Sequence, residues 1–189
     1  MHLTKLSAPE RPLDTPSVVA GSVAALANLF ERKRQEVRVA VPTSTPPILG
    51  DRRRVEQILT NLLSNATRYT PEGGLIEVTA EAVASPDPSA ACPGAGGNGT
   101  GCVGGWVRIA VADSGPGIPD AERELVFGRF YRGKDAGMRG EAGSGLGLAI
   151  VKSLTELHGG QVRVAPPAEG SRARGARIEV DLPRAPDDE

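Results

Sequence analysis

Asn61, Asn65 and Arg68 are spaced i, i+4 and i+7, so a helix would carry all three on one face, with Tyr69 beside them. An asparagine side chain offers an uncharged oxygen. Magnesium takes such ligands when phosphates supply the rest of its shell. Arg68, on the next turn, would neutralise phosphate charge. Asparagine is a middling helix former, so two of them one turn apart stand out. Taken alone, the same residues also suit a solvent-facing polar stripe.

A second group is Asp113-Ser114-Gly115-Pro116-Gly117-Ile118. Asp113 continues the parity of Val107, Ile109 and Val111, so it should point to the apolar side at a strand end. A carboxylate placed there needs a donor. An adenine amino group is one candidate, because an ionised aspartate only accepts hydrogen bonds. The glycines would let backbone approach a flat ligand closely. A plain Asp-Ser-Gly turn is the alternative. The third group, Gly143-Ser144-Gly145-Leu146-Gly147-Leu148, opens a helix. Free amides and the helix dipole at such a start favour phosphate. No Gly-Lys-Ser/Thr follows, so this is not a Walker loop, and no strand signal precedes it as a dinucleotide fingerprint requires.

The elements that must position these groups are legible as patterns. Residues 18–35 have helical spacing, with Val19, Val23, Leu26 and Phe30 on one face, Asp14 or Thr15 as cap and Pro16 in the first turn. Val37, Val39 and Val41 suggest a short strand. A stronger helix opens near Asp51 and carries a Val55, Ile58, Leu59, Leu62, Leu63, Ala66 stripe before Thr70-Pro71 stops it. Strands are expected over 75–83, 106–113, 161–165 and 176–182, and a third helix over 146–157. Between them, 85–105 reads as a flexible hairpin insertion, and 114–145 as a long, glycine-rich, charged connection with a short helical signal at 120–126. The sum is an α+β two-layer pattern with helices on one face of a mixed or antiparallel sheet.

At 189 residues the chain suffices for one domain. A net charge of -1 gives no general attraction to nucleic acid or to an acidic membrane surface. No apolar run approaches the roughly 20 residues that span a bilayer, and the first residues lack a signal-peptide stretch, so a soluble cytoplasmic domain is expected. Cys92 and Cys102 lack metal-site spacing and read as free thiols or one loop disulfide.

The three groups occur in order, and here a resemblance is plain. NLLSNATRYTPEGG resembles the N box of histidine kinases, DSGPGIP their first glycine box, FGRFYR the F box, and GSGLGLAIVKSLTELHGG the second glycine box. The match runs from about Gly50 to Pro183. It implies a Bergerat fold: a two-layer sandwich with a mixed, mainly antiparallel five-stranded sheet, three main helices on one face, and ATP under a mobile lid. By this resemblance Asn61 and Asn65 face Mg²⁺ and phosphates, Arg68 the phosphates, Tyr69 the adenine side and Asp113 the adenine amino group. Gly115, Gly117 and Ile118 shape the base pocket. Gly143, Ser144, Gly145, Leu146, Gly147 and Leu148 form the phosphate end of the lid, and Phe130, Arg132 and Lys134 also face the nucleotide. Arg129, Arg132 and Lys134 are candidate γ-phosphate contacts, or simply a solvated basic surface. Arg68 stands where lysine is usual, and Gly128 where the F box is commonly acidic. Of the last glycine box Gly175 fits, whereas Ala173 and Ala176 stand where Gly and Thr are common. The implied layout is a linker or dimerisation-helix stub over 1–13, the ATP-binding domain over 14–184 with a lid over 119–145, and a disordered tail over 185–189.

Related ATP hydrolases carry a glutamate one turn before the metal-binding asparagine, where it activates water. Asn61 occupies that position, and an amide is no general base. Transfer to a positioned acceptor is therefore favoured over hydrolysis. The acceptor implied is a histidine, followed downstream by a response regulator. Neither His2 nor His158 lies in an acceptor motif, and His158 reads as a residue acting on a helix C-terminal dipole. The expectation is a histidine kinase catalytic domain whose acceptor sits on a separate dimerisation domain. The alternatives are a serine kinase of the anti-sigma-factor type and a nucleotide-binding module without catalysis.

Overall fold

The computed structural model describes residues 11–84, 105–131 and 145–186. Residues 85–104, which hold nearly all of the expected insertion and both cysteines, lie outside them, as do residues 1–10 with His2 and the last three residues. Residues 11–13 of the expected stub form a strand instead, and Ala185 of the expected disordered tail is buried, its amide donating to the Pro47 carbonyl at 2.8 Å.

The chain runs β1 (Arg11–Leu13), α1 (Thr15–Ala25), α2 (Ala27–Arg32), β2 (Glu36–Ala40), β3 (Ile48–Gly50), α3 (Arg52–Tyr69), β4 (Leu75–Val83), β5 (Trp106–Asp113), two 3₁₀ turns (Asp120–Glu122 and Leu125–Phe127), α4 (Gly147–Leu157), β6 (Gln161–Ala165) and β7 (Arg177–Pro183). Five strands form one sheet in the order β2-β4-β5-β7-β6. Only the β2–β4 pair is parallel, with α3 in the connection a parallel pair requires. The mixed, mainly antiparallel sheet with helices on one face is as expected.

Alternation along the central strands decides which face the helices cover. Val78, Val111 and Ile178 lie side by side across β4, β5 and β7, and Ala80, Ile109 and Val180 form the next row. All are buried in the main core with the Val55, Ile58, Leu59, Leu62, Leu63 stripe of α3. α3 is capped at Asp51, whose carboxylate accepts from the Arg54 amide at 3.0 Å. At its other end Pro71 cannot continue the helix.

Three features differ from expectation. The helix expected over 18–35 is two, broken at Leu26, whose amide bonds back to the Val23 carbonyl and tightens the turn. Its cap is Asp14, accepting from the Ser17 amide at 2.9 Å. β1 and β3 form a separate antiparallel pair, each too short for a period-two signal. On the face away from the helices, Arg108, Arg163 and Arg177 interleave with Glu179 and Asp181. Asp181 is fully buried there and accepts from Arg108 and Arg163, each at 2.7 Å.

Candidate nucleotide site

Asp113 ends β5 and is buried as its parity requires. Its Oδ1 accepts from the Gly115 amide at 2.8 Å and the Ala176 amide at 3.1 Å. Its Oδ2 has no hydrogen bond among the described residues. Burial raises the Asp113 pKa, and the two amides pull it partly back. Backbone packs closely against this carboxylate. Gly175 donates its amide to the Asp113 carbonyl at 2.6 Å, and Asp113 donates to the Ala176 carbonyl at 2.9 Å. A Cβ at Gly175 would run into the carboxylate, and one at Gly115 would lie 2.6 Å from the Tyr69 carbonyl. Gly117 has a φ of +81, which favours glycine, and Ile118 beside it is half-buried.

The four residues of the first group all lie on α3. Asn61, Asn65, Arg68 and Tyr69 are half-buried beside the buried stripe. Asn61 Nδ2 is buried and has no hydrogen-bond partner among the described residues. A Cβ on Gly147, the first residue of α4, would lie 3.9 Å from Asn61 Oδ1, so the glycine-rich helix start meets the middle of α3 at Asn61. Leu146 caps α4 without a side-chain bond, and Leu148 is buried. Tyr69, the last residue of α3, abuts Gly115. The site thus runs along α3 from the α4 amides to Asp113, a span of roughly 12 Å at the helical rise.

Phe127 and Phe130 part company. Phe127 is in the core, whereas Phe130 is 72% exposed with a φ of +61. The Phe130 amide donates to the Gly145 carbonyl at 3.0 Å, and a Cβ on Gly145 would lie 2.9 Å from the Tyr131 carbonyl. The two ends of the intervening segment are pinned together. Arg132, Lys134, Gly143 and Ser144 fall within that segment, outside the described residues. Exposed Arg129 lies at its edge.

His158 is the C-terminal cap of α4 and is buried. Its Nδ1 lies 2.8 Å from the Leu154 carbonyl, and its Nε2 accepts from the Asp51 amide at 3.2 Å. That pair of contacts requires Nδ1 to be the donor. The ring acts on the helix end by a hydrogen bond to a carbonyl, and both nitrogens are occupied.

Two parts of the site were not on the expected set. Gly175 and Ala176 supply backbone to Asp113; their signal was the partial third glycine box. Lys33 and Gln35 grip the end of α3 through main-chain carbonyls and left no sequence signal.

Comparison with known proteins accords with this layout. The family model described as histidine kinase-, DNA gyrase B- and HSP90-like ATPase matches residues 50–186, and the chain belongs to that family. It is 33% identical over 175 residues to the adaptive-response sensory kinase SasA of Synechococcus sp. (strain CC9311), covering 93% of this chain and 39% of the relative. It is 37% identical over 175 residues to the signal transduction histidine-protein kinase/phosphatase MprB of Mycobacterium leprae (strain TN), covering 93% and 29%. The chain therefore spans well under half the length of these relatives. Among solved structures it is similar to the mycobacterial sensor histidine kinase MprB, at 31% identity and a TM-score of 0.67 over 94% of this chain and 99% of that one. It also resembles full-length ShkA in complex with AMPPNP, at 30% identity and a TM-score of 0.72 over 97% and 33%. No helix among the described residues is long and apolar enough to cross a membrane.

Proposed function

We propose that this chain is the cytoplasmic catalytic domain of a sensor histidine kinase: it binds Mg·ATP and passes the γ-phosphoryl group to a histidine on a separate dimerisation domain, for relay to a response regulator. The observation that carries this is Asp113. A buried carboxylate with one oxygen held by two amides and the other without a hydrogen bond among the described residues suits the amino edge of adenine. A side chain at Gly115 or Gly175 would collide with Asp113 Oδ1, so glycine at both keeps the backbone close against the carboxylate. The AMPPNP complex of ShkA supports the same class of ligand.

At the other end, the α4 amides and Arg68 suit the phosphates. Asn61 and Asn65 present amide oxygens, and among the described residues no cluster of three or more His, Cys, Asp or Glu surrounds a metal position. Such a donor set fits Mg²⁺ only as a phosphate complex, where the ion would neutralise charge on the transferring group. Asn61 provides no base for water, so the residues hold and orient rather than hydrolyse. His158, with both ring nitrogens engaged, is not the acceptor. The segment from 119 to 145 would cover the nucleotide.

The test combines this chain with a dimerisation domain from the same kinase type and radiolabelled ATP. Acid-labile, base-stable label on that domain is expected. Label on serine, or ATP bound without transfer to any acceptor, would overturn the assignment.

A further inference from the structure

Three chain segments converge where α3 ends. The Lys33 ammonium donates to the carbonyls of Thr67 at 2.8 Å and Arg68 at 3.0 Å, with Thr70 at 3.5 Å. Gln35 Nε2 donates to Thr67 at 3.0 Å and Thr70 at 2.8 Å. The main chain of the same turn is tied in as well. Gly73 donates to the Lys33 carbonyl and Glu36 to the Gly74 carbonyl, both at 2.9 Å. Leu75, just beyond, donates to Ser114 Oγ at 2.8 Å. A helix C-terminus exposes unpaired carbonyls and a negative dipole end, so a cation and an amide donor there are favourable.

This end of α3 forms one wall of the adenine region. The Tyr69 carbonyl presses on Gly115, and the Gly115 amide holds Asp113 Oδ1. A cavity of about 330 Å³ opens beside these groups, lined in part by Lys33, Arg68, Tyr69, Gly115 and Pro116. Lys33 has three donors and three carbonyls in reach, which leaves none for a ligand.

We propose that Lys33 and Gln35 are positioning residues of the nucleotide site, setting the end of α3 against Gly115 and so the place where the adenine ring seats. This rests on the ATP-binding reading. Without the clamp the last turn of α3 would fray, Tyr69 would move off Gly115, and the backbone grip on Asp113 would loosen. The phosphate end, two turns away at Asn61 and the α4 amides, would be unaffected. Affinity is therefore lost equally for nucleotides sharing adenine, whatever their phosphate count.

The experiment measures binding of Mg·ADP and Mg·ATP to the 189-residue chain by calorimetry, well below its melting temperature, for the unmutated protein, Lys33→Met, Lys33→Arg and Gln35→Met. The expected result is a loss of roughly threefold to thirtyfold for both nucleotides in Lys33→Met and Gln35→Met. Lys33→Arg keeps the charge and restores most of the affinity. In an Asp113→Asn background Lys33→Met should add little, because both act through one carboxylate. Gln35→Met removes no charge, so it reads the clamp even if Lys33→Met does not fold. A lowered melting temperature with unchanged affinity overturns the proposal, as does a loss confined to Mg·ATP. Failure of the unmutated chain to bind either nucleotide is a separate result, and overturns the ATP-binding reading together with this one.

Discussion

Gly175 lies so close to Asp113 that its amide bonds the Asp113 carbonyl while its missing side chain leaves room for the Asp113 carboxylate. Gly175→Ala should therefore destabilise the protein by about 1–3 kcal/mol, the usual range for overpacking. In a chain of this size that lowers the melting temperature by roughly 2–4 °C per kcal/mol. Nucleotide affinity should fall too. Gly21→Ala is the control. Gly21 lies in α1 with open space around it, and alanine there should stabilise by about 0.5–1 kcal/mol. Equal melting temperatures for the two variants would contradict the packing at Gly175.

Asp113→Asn separates binding from stability. The amide still accepts from Gly115 and Ala176, and a buried charge disappears, so the melting temperature should hold or rise. In the proposed site the carboxamide would turn a donor toward the adenine amino group, which is itself a donor. Losing a hydrogen bond to a charged group of about 1.5–3 kcal/mol weakens ADP and ATP binding about tenfold to hundredfold. Calorimetry on the two proteins checks it; equal affinities would remove Asp113 from the site.

Acid titration gives an independent test. Burial favours the protonated carboxyl in the folded state, so the folded pKa lies above the ordinary 3.8. The stability this confers is full below 3.8 and is lost as pH rises through the folded pKa. In the proposed site the adenine amino group would need the ionised form. Binding in the window just above 3.8 should thus release a proton, seen as an enthalpy that changes with the ionisation heat of the buffer. The same release from Asp113→Asn would assign the proton elsewhere.

The charged outer face predicts the opposite split. Asp181 is fully buried between Arg108 and Arg163, so Asp181→Ala leaves both cations to Glu179 alone and should cost about 1–3 kcal/mol. Affinity for ADP, measured below the lowered melting temperature, should not change. A melting temperature equal to the unmutated protein's would mean the pair contributes nothing.

What could be foreseen divides along physical lines. Asp113 was visible because strand parity alone decides which way a side chain points. The α3 face was visible because helical spacing places Asn61, Asn65 and Arg68 together. Lys33 and Gln35 were not, because they act on carbonyls of residues 32–37 positions away and any residue supplies a carbonyl. The arginine and carboxylate lattice alternates visibly along β5, β6 and β7, but which charges meet depends on strand order and register. Three-residue strands such as β1 and β3 carry too few positions to show a period.

The hydrogen bond from Phe130 to Gly145 makes a closed ring of everything between them. Because closing a ring costs free energy only as the logarithm of its length, residues can be added or removed inside it at small expense. Lengthening or shortening the chain between Phe130 and Gly145 should therefore leave the melting temperature of the sheet beneath nearly unchanged.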